Sequence, residues 1–296
     1  MKILKAALLG RSLPRSISPD VHRELFDMLR MKLGEDYDAI DYTKIECRDE
    51  EEFHDIVERG ASDGFVGFNV TFPYKFQAAK VEGESSPVVR KIHSANTILC
   101  GSPLRIASTD GNGFRFAMEK SSPGLSYPRY SLTILGAGGA ARAVLHALHD
   151  FGWRSITIAA RSIDEAKRAA APYPPVVVLP LDEFRRDVAR QFIVQATPVG
   201  QRGGESLLEN FEWKPGDVAV DLVYNPLRTR FLDLAERGGA RALDGLGMLI
   251  EQAALAQHFW MKGFESEQSL LSFDEFQILH ASLSKYLLLR WDASDI

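Results

Sequence analysis

The sequence predicts an α/β protein built as two units, and three observations carry that prediction. Short apolar runs alternate with stretches of helical spacing. The alternation restarts after the Ser/Pro/Gly-rich stretch SSPGLSYPRY at residues 121–130. The 296 residues also suffice for two cores at roughly 100 to 200 residues per domain.

The first unit opens with ILKAALLG at 3–10, an apolar run that reads as a buried strand. It passes into polar residues with no small-residue cleavage pattern, so it does not read as a leader. Ser18 followed by Pro19 predicts a helix from Pro19 to Met31, because serine caps free N–H groups and proline in the first turn sacrifices no bond. The preceding loop thereby brings Ser16 and Ser18 to a helix N-terminus. YDAIDYT at 37–43 and GFVGFNV at 64–70 read as strands, with a helix over Asp49 to Arg59 between them. In NVTFPYK, Asn69 and Thr71 fall at a strand's carboxyl edge, and Pro73 is expected to open a helix carrying Lys75. The boundary between the units is expected within residues 112–128.

The second unit begins at Tyr130 with a strand, a glycine-rich turn and a helix starting near Gly139. SITIAARS, VVVLP, QFIVQAT and DVAVDLV continue the strand series. From Gly245, GLGMLIEQAALAQHFW and then FDEFQILHASLSKYLLLRW read as amphipathic helices. Periodicity alone leaves open whether they close the second unit or return to the first.

Composition narrows the function. With 35 Lys and Arg against 40 Asp and Glu, the net charge of −5 offers no footprint for a nucleic-acid backbone. No run approaches the roughly 18 apolar residues of a membrane span. Cys47 and Cys100 are too few for a disulfide framework, which fits a reducing, cytoplasmic setting. The seven histidines show no metal-ligand spacing, so no metal is expected, and His22 reads as structural.

The sharpest motif is Gly136-Ala137-Gly138-Gly139-Ala140, set between a strand and a helix. Glycines there permit a tight turn and let backbone N–H groups approach a pyrophosphate at the positive end of the helix. A Rossmann-like dinucleotide site follows. About 20 residues on, where an acid would bond the ribose of NAD, stand Arg161 and Ser162. A guanidinium pairs with a 2′-phosphate, so NADP is favoured; Asp164 and Glu165 nearby keep NAD open.

Ser16, Ser18, Asn69, Thr71, Lys75, Asn96 and Asp110 lie in polar motifs beside strand ends and present hydroxyls, amides and a charge pair suited to a polyol. Oxidising a carbinol requires its hydroxyl proton to leave. Lys75 serves as base or holds the oxygen by its charge, and Asp110 orients it.

SISPDVH, NVTFPYK, SANTI, STDGNGF, LGAGGAARA, DLVYNP and DGLGMLIEQAA together resemble, in order, the shikimate dehydrogenase family. The resemblance implies a substrate domain over 1–112 completed by helices in 246–296, and a Rossmann-like NADP domain over 113–245. It implies reversible NADP-dependent oxidation of shikimate to 3-dehydroshikimate, with Lys75 and Asp110 catalytic. It further implies Ser16 and Ser18 at the substrate carboxylate; Thr71, Asn96 and Gln252 at the carboxylate and ring hydroxyls; Asn69 in support; and Tyr224 closing the pocket. Thr197, Leu222, Gly245 and Met248 fall where the family lines the ribose and nicotinamide.

Departures from the family pattern include Arg15 in place of a common histidine, Ser108, Ala160, Glu165, Gln195 and Pro198. They leave room for a quinate or aminoshikimate dehydrogenase using NAD or NADP. A sensor binding the metabolite without turnover is the alternative of another class, and the Lys75 and Asp110 pair argues against it. Gly111, Gly113 and Gly245 read as hinges, and the chain is expected to work as a monomer or homodimer.

Overall fold

The computed structural model describes residues 1–123, 130–153, 155–186 and 190–291; the centre of the expected linker, 124–129, lies outside them. The chain divides into two compact units. Met1–Phe116 with Leu249–Glu275 forms the first, and Ala117–Met248 with the chain from Phe276 onward forms the second.

The first unit runs β1 (Ile3–Gly10), α1 (Ser18–Leu33), β2 (Ala39–Glu46), α2 (Glu50–Arg59), β3 (Gly67–Val70), α3 (Lys75–Ala78), β4 (Glu84–Ser85), α4 (Pro87–Ile92), β5 (Thr97–Leu99) and β6 (Arg105–Ala107). The sheet order is β2-β1-β3-β5-β6-β4. β1 is parallel to β2 and β3, whereas β5 runs antiparallel to both β3 and β6. The sheet is therefore mixed rather than a pure βαβ series. Three-residue strands such as β5 and β6 are too short to show a period, which is why sequence pattern passes over them.

Successive residues of β1 serve opposite faces, and both faces are buried. Ala7 and Leu9 join Phe53, Val57, Phe68 and Tyr74 in one core, while Leu4, Ala6 and Leu8 join Phe26, Tyr42, Phe259 and Trp260 in the other. This double burial accounts for the unbroken apolar run of the strand. Trp260 locks the second core to the sheet, its indole N–H donating to the Ile98 carbonyl at 3.0 Å. A Cβ at Gly67 would lie 2.2 Å from Trp260 Nε1, so glycine is what lets the indole reach the strand.

Two local expectations need correction. Ser18 is the first residue of α1 rather than its cap: Ile17 holds the cap position without a side-chain bond, and the Ser16 hydroxyl accepts from the Ser18 N–H at 3.3 Å. Pro73 does not open α3, which starts at Lys75. Pro73 instead follows a cis peptide bond in the turn leading there.

The second unit contains β7 (Tyr130–Leu135), α6 (Gly139–Asp150), β8 (Ile156–Ala160), α7 (Ile163–Ala170), β9 (Val176–Pro180), β10 (Arg190–Gln195), β11 (Val218–Asp221), α8 (Arg230–Arg237) and β12 (Arg241–Leu243). All strands of this sheet pair in parallel, in the order β12-β11-β10-β7-β8-β9. Counted along the chain this is the 3-2-1-4-5-6 order of the doubly wound fold, with its switch point between β7 and β10.

Three helices cross the division between units: α5 (Asp110–Ser121), α9 (Leu246–Lys262) and α10 (Phe273–Trp291). The whole of 246–296 was expected with the first unit; the division instead leaves the chain from Phe276 in the second. Packing explains the difference. The Phe276 ring lies against Gly247, and His280 Nε2 meets Asp244 Oδ1 at 3.1 Å. Gly113 and Gly245, expected as hinges, are points of close approach. A Cβ at Gly113 would stand 2.7 Å from Gln252 Cβ, and one at Gly245 would stand 2.4 Å from the Leu222 carbonyl oxygen.

Candidate active site

Each unit carries a polar cluster at strand ends that bears on the chemistry. In the first, short strands and helix starts bring the side chains together. Lys75 begins α3 and Asp110 begins α5. Lys75 Nζ donates to Asp110 Oδ2 at 2.6 Å, with side-chain exposures of 18% and 6%. The N-terminus of α5 favours the Asp110 charge, because free N–H groups and the helix dipole meet an anion there.

Asn96, just before β5, supports the second carboxylate oxygen. Its Nδ2 donates to Asp110 Oδ1 at 2.9 Å, to Thr109 Oγ1 at 2.9 Å and to Gln252 Oε1 at 3.2 Å. Two hydrogens thus face three acceptors, which leaves Gln252 or Asp110 open to another donor. The Asn96 Oδ1 atom accepts from the Thr109 N–H at 2.7 Å, which sets the amide orientation. Gln252 reaches this cluster from α9, so the return of that helix to the first unit completes it.

Asn69 is fully committed to protein partners. Its Nδ2 donates to the Asn96 carbonyl and to Thr97 Oγ1, both at 3.2 Å, and its Oδ1 accepts from the Tyr42 hydroxyl at 2.9 Å. Thr71 is half-buried where the chain leaves β3, its N–H donating to the Leu9 carbonyl at 2.9 Å. The Ser16 hydroxyl meets the Ser18 hydroxyl at 3.0 Å. From β2, Lys44 Nζ donates to the carbonyls of Pro14 and Ser16 at 3.3 and 3.4 Å, and Glu46 Oε1 accepts from the Leu13 N–H at 2.7 Å. The loop that departs from the family pattern is thereby pinned to β2.

The second cluster lies at the carboxyl ends of the parallel strands. Gly136 has φ of +106°, and a Cβ on it would press on Thr197 Cγ2 at 2.8 Å. Gly138 is the cap residue of α6, has no side-chain cap, and a Cβ there would meet nothing within 4 Å. An uncapped helix start beside open space fits the diphosphate of a dinucleotide. Gly139, Ala140 and Ala141 form the first turn with no acidic residue to oppose an anion.

Arg161 follows β8 directly, is exposed, and makes no ion pair among the described residues. Ser162 caps α7 by accepting from the Glu165 N–H at 3.4 Å, leaving its own hydrogen to donate. Glu165 pairs with Arg142 at 2.8 Å and also with Arg168. Hydrogen bonding and charge from Arg168, with help from Arg142, hold its carboxyl below the usual range. Its negative charge is thus matched within the protein. These residues fit an adenosine phosphate better than their signs in sequence suggest.

At β10 and β11 a network missed by sequence reading supports Thr197. Gln195 Oε1 accepts from both the N–H and hydroxyl of Thr197 at 2.6 Å. Gln195 Nε2 donates to Val199 O at 2.8 Å and to Asp221 Oδ1 at 3.3 Å. Asp221 also accepts from Thr229 Oγ1 at 2.7 Å and from the Val223 N–H at 3.0 Å. Leu222 carries the carbonyl that Gly245 admits, Met248 is buried, and Tyr224 is half-buried in the loop after β11.

Burial pushes the Asp221 carboxyl up to about 7, against the Thr229 and Val223 bonds that favour its charge. A carboxyl raised on folding keeps its proton where the unfolded chain has released it. Its contribution to stability is therefore full below the ordinary aspartate range, roughly pH 4, and is lost as pH rises through about 7. The urea midpoint of the protein is expected to fall between about pH 4 and 7 relative to that of Asp221→Asn. Parallel midpoints would contradict the assignment.

A Rossmann-ordered unit with an open glycine loop, in the same chain as a unit carrying a buried lysine–aspartate pair, is the organisation of a dinucleotide-dependent oxidoreductase. Comparison with known proteins narrows the class. The family model of the shikimate dehydrogenase substrate binding domain matches residues 8–98. The shikimate dehydrogenase (NADP(+)) of Caldicellulosiruptor saccharolyticus is 34% identical over 275 residues, covering 90% of this chain and 95% of that one. The chain belongs to the shikimate dehydrogenase family. The crystal structure of Thermus thermophilus shikimate 5-dehydrogenase in complex with NADP(H) and shikimate is 28% identical. It matches with a TM-score of 0.73 over 94% of this chain and 99% of that one. Quinate dehydrogenase from Corynebacterium glutamicum in complex with NAD matches over 95% of this chain and 100% of that one, with a TM-score of 0.77. At 23% identity it shows the fold alone.

Among the described residues no group of His, Cys, Asp and Glu forms a metal site. Among them no helix is long and apolar enough to cross a membrane.

Proposed function

We propose that the protein catalyses the reversible NADP-dependent oxidation of shikimate to 3-dehydroshikimate. The single observation that carries this reading is the Lys75–Asp110 pair at 2.6 Å, assembled with Asn96 and Gln252 in a chain of this family. The first unit is read as the substrate domain and the second as the cofactor domain. The Ser16 and Ser18 hydroxyls receive the substrate carboxylate; Thr71, Asn96 and Gln252 receive the carboxylate and ring hydroxyls. Asn69 has no amide hydrogen left for a ligand, so it supports the site rather than touching the substrate. Tyr224 closes the pocket. Gly136 to Ala140 hold the diphosphate, Arg161 and Ser162 the 2′-phosphate, and Thr197, Leu222, Gly245 and Met248 the nicotinamide end.

Bound NADP supplies the hydride acceptor. The chain's own residues handle the proton. Lys75, as the neutral amine, takes the hydroxyl proton as the carbinol becomes a carbonyl, and the ammonium so formed returns it to the oxygen in the reverse direction. Asp110 holds the ammonium and, through the same carboxylate, orients the hydroxyl. Asn96 keeps that carboxylate from turning. Two free cysteines support work in a reducing compartment such as the cytoplasm.

The test is a reduction assay with shikimate and quinate, each with NADP and NAD. The expected result is a kcat/KM for shikimate with NADP at least about tenfold above every other combination. Because the ring hydroxyls are shared and quinate adds one at C1, beside the serine pair, the substrate ratio reports the room around Ser16 and Ser18. Preference for quinate would overturn the substrate reading, and no turnover with any combination would leave a binding protein.

A further inference from the structure

We propose that Tyr42 and Thr97 are positioning residues for the Lys75–Asp110 pair, acting through one buried hydrogen-bonded chain that ends on the Asp110 carboxylate. The proposal rests on the reading of Lys75 and Asp110 as the reacting pair. The chain begins away from the site. His22 in α1 is buried and stacks on Tyr42 with ring centroids 4.0 Å apart and planes 13° from parallel; Trp260 also stacks on His22, with centroids 5.4 Å apart. Gln257 of α9 donates to His22 Nδ1 at 3.1 Å and to its carbonyl at 2.8 Å. Burial drives the imidazole down to about 3, so it stays neutral and accepts that bond. The ring of Tyr42 is thereby held in one place.

From there every link is a side-chain hydrogen bond among residues that solvent barely reaches. The Tyr42 hydroxyl donates to Asn69 Oδ1, and Asn69 Nδ2 donates to Thr97 Oγ1 and the Asn96 carbonyl. Thr97 Oγ1 in turn donates to Asn96 Oδ1 at 3.3 Å and lies 3.3 Å from Thr109 Oγ1. Asn96 then donates to Asp110 Oδ1, while Lys75 holds Oδ2. The sheet reinforces the order, since Asn69 faces Thr97 across β3 and β5. An amide reads the same shape either way round, so only its partners decide which end is oxygen. Tyr42 decides for Asn69, and Thr97 with the Thr109 N–H decides for Asn96. If either amide turned over, an acceptor would face the Asp110 carboxylate or the Asn96 carbonyl, and the carboxylate would lose its second anchor.

The experiment compares Tyr42→Phe, Thr97→Val and the double variant with the parent enzyme, by steady-state turnover of shikimate with NADP and by thermal unfolding. Each single change is expected to lower kcat about tenfold with KM within about twofold, because orientation is lost and binding groups are kept. The double variant is expected to lose no more than the worse single one, since both cut one chain. Unchanged kcat per folded molecule, with a lowered melting temperature alone, would overturn the proposal. So would losses that multiply in the double variant. Thr97→Val exchanges a hydroxyl for a methyl of the same shape and carries the test if Tyr42→Phe does not fold. Lys75→Ala is run beside them: full turnover there would overturn the reading of the site itself, whereas a dead Lys75→Ala beside fully active Tyr42→Phe and Thr97→Val removes the positioning role alone.

Discussion

Lys75→Ala is expected to lower kcat for shikimate oxidation by about 10³-fold while KM changes less than about fivefold, measured with saturating NADP. The argument follows from the pair's geometry. Among the described residues Lys75 is the lysine whose side-chain nitrogen meets Asp110 Oδ2, and alanine leaves the leaving proton without that receiver. The fold should survive, because Asp110 keeps its bond from Asn96 and its place at the start of α5. Lys75→Arg separates two contributions. Arginine keeps the charge but does not give up a proton near neutral pH. If charge on the developing oxygen dominates, Lys75→Arg recovers part of the lost rate; if proton movement dominates, it stays as slow as the alanine variant. A Lys75→Ala enzyme within about tenfold of the parent would remove Lys75 from the reaction.

Arg161→Ala is expected to reduce kcat/KM for NADP by about 30-fold and to leave kcat/KM for NAD within about threefold. A charge-assisted hydrogen bond contributes about 1.5 to 3 kcal/mol, and about 1.4 kcal/mol is a factor of ten. Arg161 is well placed for this work, being exposed at the end of β8 and free of ion pairs among the described residues. Glu165, three residues into the next helix turn, is matched by Arg142 and Arg168 and so does not cancel it. An unaltered ratio of NADP to NAD would show that another group reads the 2′-phosphate.

Much of the site was legible because its residues sit in short motifs beside strand ends. Asn96 in SANTI and Asp110 in STDGNGF are separated by a pair of three-residue strands, so a hairpin brings them together. Thr97 and Thr109 lie inside the same motifs, and their hydroxyls were the available signal for the supporting network. Tyr42 offered none. Within YDAIDYT it reads as one more apolar strand position, and its bond to Asn69 exists because β1 lies between β2 and β3 and the ring reaches past it. Asp221 was equally silent, since an aspartate at a strand end ordinarily reads as a turn residue. Its burial depends on Gln195 arriving from β10 and on Thr229 closing back from the following loop, beside the local Val223 N–H.

The helix starts show the same division. Ser-Pro announced α1, but which residue became the cap turned on Ser16 reaching forward to the Ser18 N–H. The final helices announced themselves by period, and their assignment turned on single contacts such as Phe276 against Gly247.

By itself the amino-acid order determined the α/β class, the glycine loop and the residues with chemistry to offer, because side-chain period and backbone freedom are local properties written residue by residue. Only the tertiary structure decided that Glu165 is neutralised, that Asn69 spends both its hydrogens on the protein, and that α9 brings Gln252 to Asn96. Charge compensation, hydrogen-bond satisfaction and burial are set by neighbours distant in the chain, and those neighbours exist only once the sheets have formed.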